Sequence, residues 1–187
     1  SCSGYFLDTI EKKKFELNDC QFSYRSSIFK KSLRNKFIIT EVVLQLSKTN
    51  HKISKSYKSI NDALNKKKIH NPTIKDIARI VSKIRENKLP NPSLIGNSGS
   101  FFKNPIVSIE LLNKLKQKFS KLVYFKESVS KYKLSAAWLI ENCNFKNIEE
   151  KNVGVYKNQA LVIINLGSAT GKEILLFSEK IKSTVLE

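Results

Sequence analysis

The residues best placed to do chemistry lie in one stretch, Lys88-Leu-Pro-Asn-Pro-Ser-Leu-Ile-Gly-Asn-Ser-Gly-Ser-Phe-Phe-Lys-Asn-Pro105. It holds three of the four prolines and two of the six glycines in the chain. Gly96 and Gly99 tolerate φ > 0 and let a ligand come close to the backbone. Pro90, Pro92 and Pro105 fix φ and bar a regular helix or an interior strand. The stretch therefore reads as a rigid polar loop that aims the hydroxyl of Ser100, with Lys88, Lys103 and Asn104 nearby and Arg25 isolated earlier in the chain. A serine without a base is a poor nucleophile, yet it can give a proton to a strongly basic centre such as a carbanion. Lysines beside it suit a phosphorylated ligand and an arginine suits a carboxylate. An interdomain linker would have a similar local composition.

Other common sites are absent from the sequence. There is no G-x-x-x-x-G-K-[ST] loop, no G-x-G-x-x-G after a strand, no H-E-x-x-H and no G-x-S-x-G. His51 and His70 lie in polar loop sequence without an evident partner, which argues against a Ser-His-carboxylate hydrolase. Cys2, Cys20 and Cys143 are odd in number and widely spaced, so neither a disulfide framework nor a zinc site is expected. A reducing, cytoplasmic setting fits best.

Elements must position these groups. Tyr5–Leu7 and Lys14–Leu17 read as short strands joined by a charged turn at 11–13, and Asn18-Asp19 opens a polar turn before 22–30. Residues 37–46, β-branched and partly alternating, form the clearest strand of the first half, and the elements suggest one antiparallel sheet. Residues 60–68 read as a short helix. Thr73 caps a second, with Ile74, Ile77, Ile80, Val81 and Ile84 at helical spacing, ending near Asn87. Arg85 and Lys88 then sit at its C-terminal end beside the proline-rich loop, where both could simply neutralise the helix dipole. A helix over 108–119, a strand over 122–125, a helix over 136–143 capped by Ser135, strands at 153–156 and 160–165, and a last helix opened by the capping box at Thr170 complete a small α+β unit. Trp138 and Leu139 are expected in its core.

The chain has 187 residues, long enough for one domain or two small ones. No apolar run reaches the ~18 residues that span a bilayer, and no secretory signal opens the sequence. Met is absent, even at position 1, and Ser1-Cys2-Ser3-Gly4-Tyr5 runs directly into strand-like residues, so a piece of a longer chain is expected. The formal charge of +18 suggests nucleic acid, but Lys supplies all of the 34 basic residues except Arg25, Arg34, Arg79 and Arg85. Dispersed lysines with scarce arginine read as a solvated surface, and no nucleic-acid or membrane partner is expected.

The motifs taken together resemble the UDP-N-acetylenolpyruvoylglucosamine reductase (MurB) family. The resemblance is carried by Tyr24-Arg-Ser-Ser-Ile-Phe-Lys30, Lys88-Leu-Pro-Asn-Pro92, Gly96-Asn-Ser-Gly-Ser-Phe-Phe-Lys-Asn-Pro105, Lys133-Leu-Ser-Ala-Ala-Trp-Leu-Ile140 and Gln159-Ala-Leu-Val-Ile-Ile-Asn165. It implies a flavoprotein in which NADPH reduces FAD, and reduced flavin passes hydride to the enolpyruvyl double bond of UDP-N-acetylglucosamine enolpyruvate, giving UDP-N-acetylmuramate for peptidoglycan. By the same resemblance Ser100 would protonate the resulting carbanion and Arg25 would stabilise charge spreading into the carboxylate. Lys88 and Asn104 match substrate contacts, Lys88 near the pyrophosphate, with Tyr57, Arg85 and Gln159 as less distinctive matches. Either Tyr124 or Phe125 would cover the substrate, and the plain alternative for Arg25 is a loop salt bridge.

The implied fold is the end of an FAD-binding α+β domain with antiparallel strands, residues 1–89, followed by a small α+β substrate-binding domain, 90–187, truncated at its C-terminal end. The family's FAD-binding region would precede Ser1. Its catalytic Glu follows the last helix, a position that Glu187 does not match. The expectation is therefore a cytoplasmic, monomeric reductase of which this chain is an incomplete part, without a metal. The alternatives are a non-catalytic remnant binding a UDP-sugar or nothing, and a basic nucleic-acid-binding protein.

Overall fold

A computed structural model describes residues 1–53 and 57–187, and these form two compact units, Ser1–Lys52 and Ile53–Glu187. The first unit is a three-stranded antiparallel sheet of β1 (Cys2–Phe6), β2 (Lys12–Phe15) and β3 (Phe37–Val42), in the order β2-β1-β3. Its core gathers Cys2, Phe15, Cys20, Ile28 and Phe37. Phe15 meets Phe37 edge to face with ring centroids 5.2 Å apart, a preferred arrangement of two ring quadrupoles. Gly4 is required where β1 crosses β3, because a Cβ there would lie 1.9 Å from the Ile38 carbonyl oxygen.

The expected strands shift at their ends. The turn lies at residues 7–9, ahead of the charged residues 11–13. The third strand stops at Val42 and not at Leu46, because the ladder with β1 runs out at the Cys2–Val42 pair. Residues 22–30 make turns and one short 3-10 segment at Ile28–Lys30.

The second unit begins with α1 (Lys58–Lys66) and α2 (Ile74–Lys88). It continues through β4 (Gly96–Ser100), β5 (Ile106–Ser108), α3 (Ile109–Lys118), β6 (Tyr124–Lys126), β7 (Lys131–Leu134) and α4 (Ala136–Asn142). It ends with β8 (Glu149–Glu150), β9 (Val153–Val155), β10 (Val162–Asn165) and α5 (Gly171–Leu186). Two antiparallel sheets form, β4-β10-β9-β8 and β5-β7-β6. Val162, Ile163 and Ile164 of β10 are all buried, as expected of a strand paired on both sides and covered on both faces. Ile163, Val153 and Val155 pack with Phe177 and Ile181 of α5, while Leu112, Leu122 and Leu134 make a second core against which Trp138 and Leu139 pack.

The architecture is α+β with antiparallel pairing, as expected, but the proline-rich stretch is not wholly loop. Gly96–Ser100 forms the edge strand β4, which fits between Pro92 and Pro105 and contains no proline. The short strands β5, β7 and β8 carry too few residues to show a period in the sequence. Among the described residues no helix is long and apolar enough to cross a membrane.

Gly4→Ala places its methyl against the Ile38 carbonyl with no flexible side chain to yield. The substitution is expected to destabilise the first unit by about 2–3 kcal/mol, read as a lower urea midpoint. An unchanged midpoint would mean that β1 and β3 are not held at this separation.

Candidate functional site

The C-terminal turn of α2 reaches the site because both ends of the helix are defined by the sequence. At its start Thr73 Oγ1 accepts from the Asp76 N–H at 3.2 Å, and Asp76 Oδ2 accepts from the Thr73 N–H at 2.9 Å. Two of the otherwise unpaired donors of the first turn are thereby satisfied. The hydrogen bonds from Thr73 hold the Asp76 carboxyl below its ordinary range. At the other end Leu89 N–H closes on Arg85 C=O at 2.8 Å, and buried Pro90 stops the helix. Arg85 and Lys88 lie exposed on this last turn.

The opposite wall is the sheet edge. β4 pairs with β10, and the turn after β9 carries Asn158 and Gln159. Asn158 Nδ2 donates to the Asn87 carbonyl at 3.0 Å, bridging this turn to the end of α2. Between the walls opens a cleft of about 450 Å³, lined by Arg85, Lys88, Asn97, Ser100 and Gln159, with Pro90 and Pro92 among its apolar surfaces. Ser100 is exposed to it, and its hydroxyl has no protein partner among the described residues. Gln159 Oε1 accepts weakly from the Leu161 N–H at 3.5 Å, so its NH₂ group is the part left for a ligand.

Four residues singled out from the sequence, Ser100, Lys88, Arg85 and Gln159, thus share one concavity. Three do not line it. Asn104 sits after β4, where its Oδ1 accepts from the Ala136 N–H at 2.9 Å and fastens the start of α4. Tyr57 is 70% exposed just ahead of α1. Arg25 belongs to the first unit, exposed and at φ 53°, with its carbonyl accepting from Lys30 Nζ at 3.4 Å. Of the two aromatic candidates, Tyr124 packs edge-on against Tyr132 beneath the Lys116 ammonium, and Phe125 is more exposed.

The residue missed from the sequence is Asn97, which lines the cleft with its carboxamide bonded to the backbone on both sides. The signal was present as Asn-x-Gly at 97–99, a spacing at which an Asn side chain bonds the N–H two residues on.

Chemically, the lining offers two fixed cations, a hydroxyl and two amides, with no Asp or Glu. Such a set binds an anionic, oxygen-rich ligand, with Arg85 able to fork two oxygens and Lys88 acting as a point charge. The lining includes no aromatic side chain on which a flavin ring would stack, and its apolar part is Leu89, Pro90, Pro92 and Val162.

Comparison with known proteins gives the family. The family model described as UDP-N-acetylenolpyruvoylglucosamine reductase, C-terminal domain, matches residues 91–187. A UDP-N-acetylenolpyruvoylglucosamine reductase of Flavobacterium johnsoniae is 45% identical over 187 residues, covering 100% of this chain and 56% of the relative. The protein of the same name from Amoebophilus asiaticus is 42% identical over 175 residues, 94% of this chain and 51% of the relative. One from Pseudomonas fluorescens strain Pf0-1 is 37% identical over 179 residues, 96% and 52% respectively. The chain spans about half the length of the curated relatives it matches.

Two outcomes follow from this geometry. Because folding lowers the Asp76 pKa from its ordinary 3.8, the cap of α2 stabilises the fold above that value and is lost as pH falls through the lower folded value. Acid titration followed by amide NMR should show the start of α2 loosening below about pH 3.8, and Asp76→Asn should abolish the transition. Separately, Lys88→Gln or Arg85→Gln is expected to weaken pyrophosphate binding about tenfold and to reduce its salt dependence, measured by calorimetry at two ionic strengths. Equal binding by both variants would remove the cleft as an anion site.

Proposed function

We propose, from the premise that the chain belongs to the UDP-N-acetylenolpyruvoylglucosamine reductase family, that it supplies the proton donor and much of the substrate pocket of an NADPH-dependent flavoprotein. The protein would convert UDP-N-acetylglucosamine enolpyruvate to UDP-N-acetylmuramate, a step of peptidoglycan precursor synthesis. The observation that carries this reading is the convergence of Ser100 with Lys88, Arg85 and Gln159 in one carboxylate-free cleft. A hydroxyl with no base beside it is poorly suited to nucleophilic attack, yet it can give its proton to a carbanion.

In this proposal the complete protein, and not the cleft, holds FAD and uses NADPH, and the bound flavin supplies the hydride equivalent. The chain's own residues handle the substrate and the proton. Lys88 and Arg85 bind the diphosphate, whose charge matches theirs. Ser100 O–H gives its proton to the carbon next to the substrate carboxylate as that carbon becomes carbanionic, so that one hydride and one proton add across the double bond. The alkoxide left on Ser100 regains a proton from solvent. Arg25 stabilises the charge passing into the carboxylate. Gln159, Asn104 and Tyr57 complete the substrate contacts, with the bond from Asn104 to the start of α4 holding its loop in place.

The proposal retains residues 1–89 as part of a flavin domain and 90–187 as substrate domain; the family match begins at residue 91, whereas the compact units divide between Lys52 and Ile53. A cytoplasmic monomer is the setting that fits a soluble nucleotide-sugar substrate.

Ser100→Ala, introduced into the complete protein, is expected to slow reduction of the enolpyruvyl sugar by about 10²–10⁴-fold while NADPH still reduces the flavin at the original rate. Stopped-flow measurement of the two half-reactions separates these effects. Equal loss of both would overturn the role given to Ser100.

A further inference from the structure

Side chains of a β-strand alternate between faces, so Asn97 and Ser100, three residues apart, would face opposite sides of a regular β4. Both nevertheless line the cleft. The register explains this. Ser100 is paired with Val162 and Asn97 with Ile164, so three steps along β4 match two along β10. One extra residue is accommodated in β4, which is a β-bulge, and it carries Ser100 over to the face that it would otherwise leave.

A bulge leaves a backbone group outside the ladder, and this one is satisfied locally. Asn97 Oδ1 accepts from the Gly99 N–H at 3.0 Å, while Asn97 Nδ2 donates to the Ile95 carbonyl at 3.1 Å. The two bonds determine which end of the carboxamide is oxygen, since one partner is a donor and the other an acceptor. Gly99 stands at φ 61°, in the left-handed region where a side chain is strained, although a Cβ there would meet nothing within 4 Å. Glycine is thus needed for its backbone angle and not for space. Beyond the bulge the ladder resumes, with Phe101 N–H bonded to the Leu161 carbonyl at 2.8 Å.

We infer that Asn97 is a positioning residue, whose carboxamide clamps the bulge that turns the Ser100 hydroxyl into the cleft. The clamp rests on the geometry of β4 alone, and its consequence for turnover rests on the function proposed above. Asn97 touches the reaction only through the backbone of Gly99. One N–H of its NH₂ goes to Ile95 and its oxygen to Gly99, so the carboxamide is held in place whether or not its second N–H meets a ligand.

Hydrogen exchange of the 187-residue chain tests the clamp directly. Asn97→Ala should speed exchange of the Gly99 amide by about tenfold, the size expected for losing one such bond. Protection at Val155 and Ile163 should be unchanged, which guards against general unfolding. Asn97→Asp keeps the acceptor and should restore Gly99 protection. Unchanged Gly99 exchange in Asn97→Ala, with the core still protected, overturns the inference.

A double-mutant cycle in the complete protein tests the link to Ser100. Asn97→Ala should lower kcat for the enolpyruvyl sugar by about 10²-fold with little change in KM or in flavin reduction by NADPH. In a Ser100→Ala background the same change should cost nothing further. Additive losses would overturn the positioning role. Should the unaltered protein reduce no enolpyruvyl sugar, the proposed function fails, and the exchange measurement still decides the clamp.

Discussion

The edge pairing of β4 with β10 is the constraint on which the candidate site depends. β10 is buried from Val162 to Ile164, paired with β9 on one side and packed by α5 on one face. Its position is set by hydrophobic burial on both faces and is costly to alter. The glycine-rich strand beside it has almost no apolar side chain of its own with which to hold a place. It inherits its position through backbone hydrogen bonds to β10, so a weakly packed segment becomes a precise support for a hydroxyl. The arrangement combines a rigid platform with an uncovered edge, which is where a ligand can reach a main chain.

The second wall follows a different logic. A helix presents its last turn wherever its axis ends, and α2 ends at a buried proline. Arg85 and Lys88 consequently meet the cleft from the negative end of the helix dipole, which favours both cations before any ligand arrives. An anionic ligand must compete with that local field, but with no Asp or Glu in the lining there is no carboxylate to compete with it. The bond from Asn158 Nδ2 to the Asn87 carbonyl ties the two walls together at their rim. The formal charge of +18 gives a background attraction for anions, and Arg85 and Lys88 at the cleft give it a location.

The chemistry of the site was legible to different depths at different residues. Ser100, Lys88, Arg85 and Gln159 stand out in the sequence because they lie next to glycine and proline punctuation or within a family motif, and the structure brings the four to one cleft. Asn97 is less legible, because an Asn two residues before a glycine reads first as a turn residue. The two uses coincide here, since the turn chemistry is what directs the neighbouring side chain. Asn104 stands within the same motif, and in the structure its Oδ1 holds the start of a helix.

Sequence alone determined the elements whose signals are local. The capping boxes at Thr73 and Thr170, the helical spacing of isoleucines in α2 and the apolar run of β10 were all readable, because each depends on neighbours within a few residues. Tertiary structure decided what depends on a distant partner. The glycine stretch is a strand only because β10 lies 62 positions further on from Ser100 to Val162, and strand β3 ends where its pairing with β1 ends. The face that Ser100 presents was likewise hidden, because a bulge is a mismatch between two strands and neither one contains it alone.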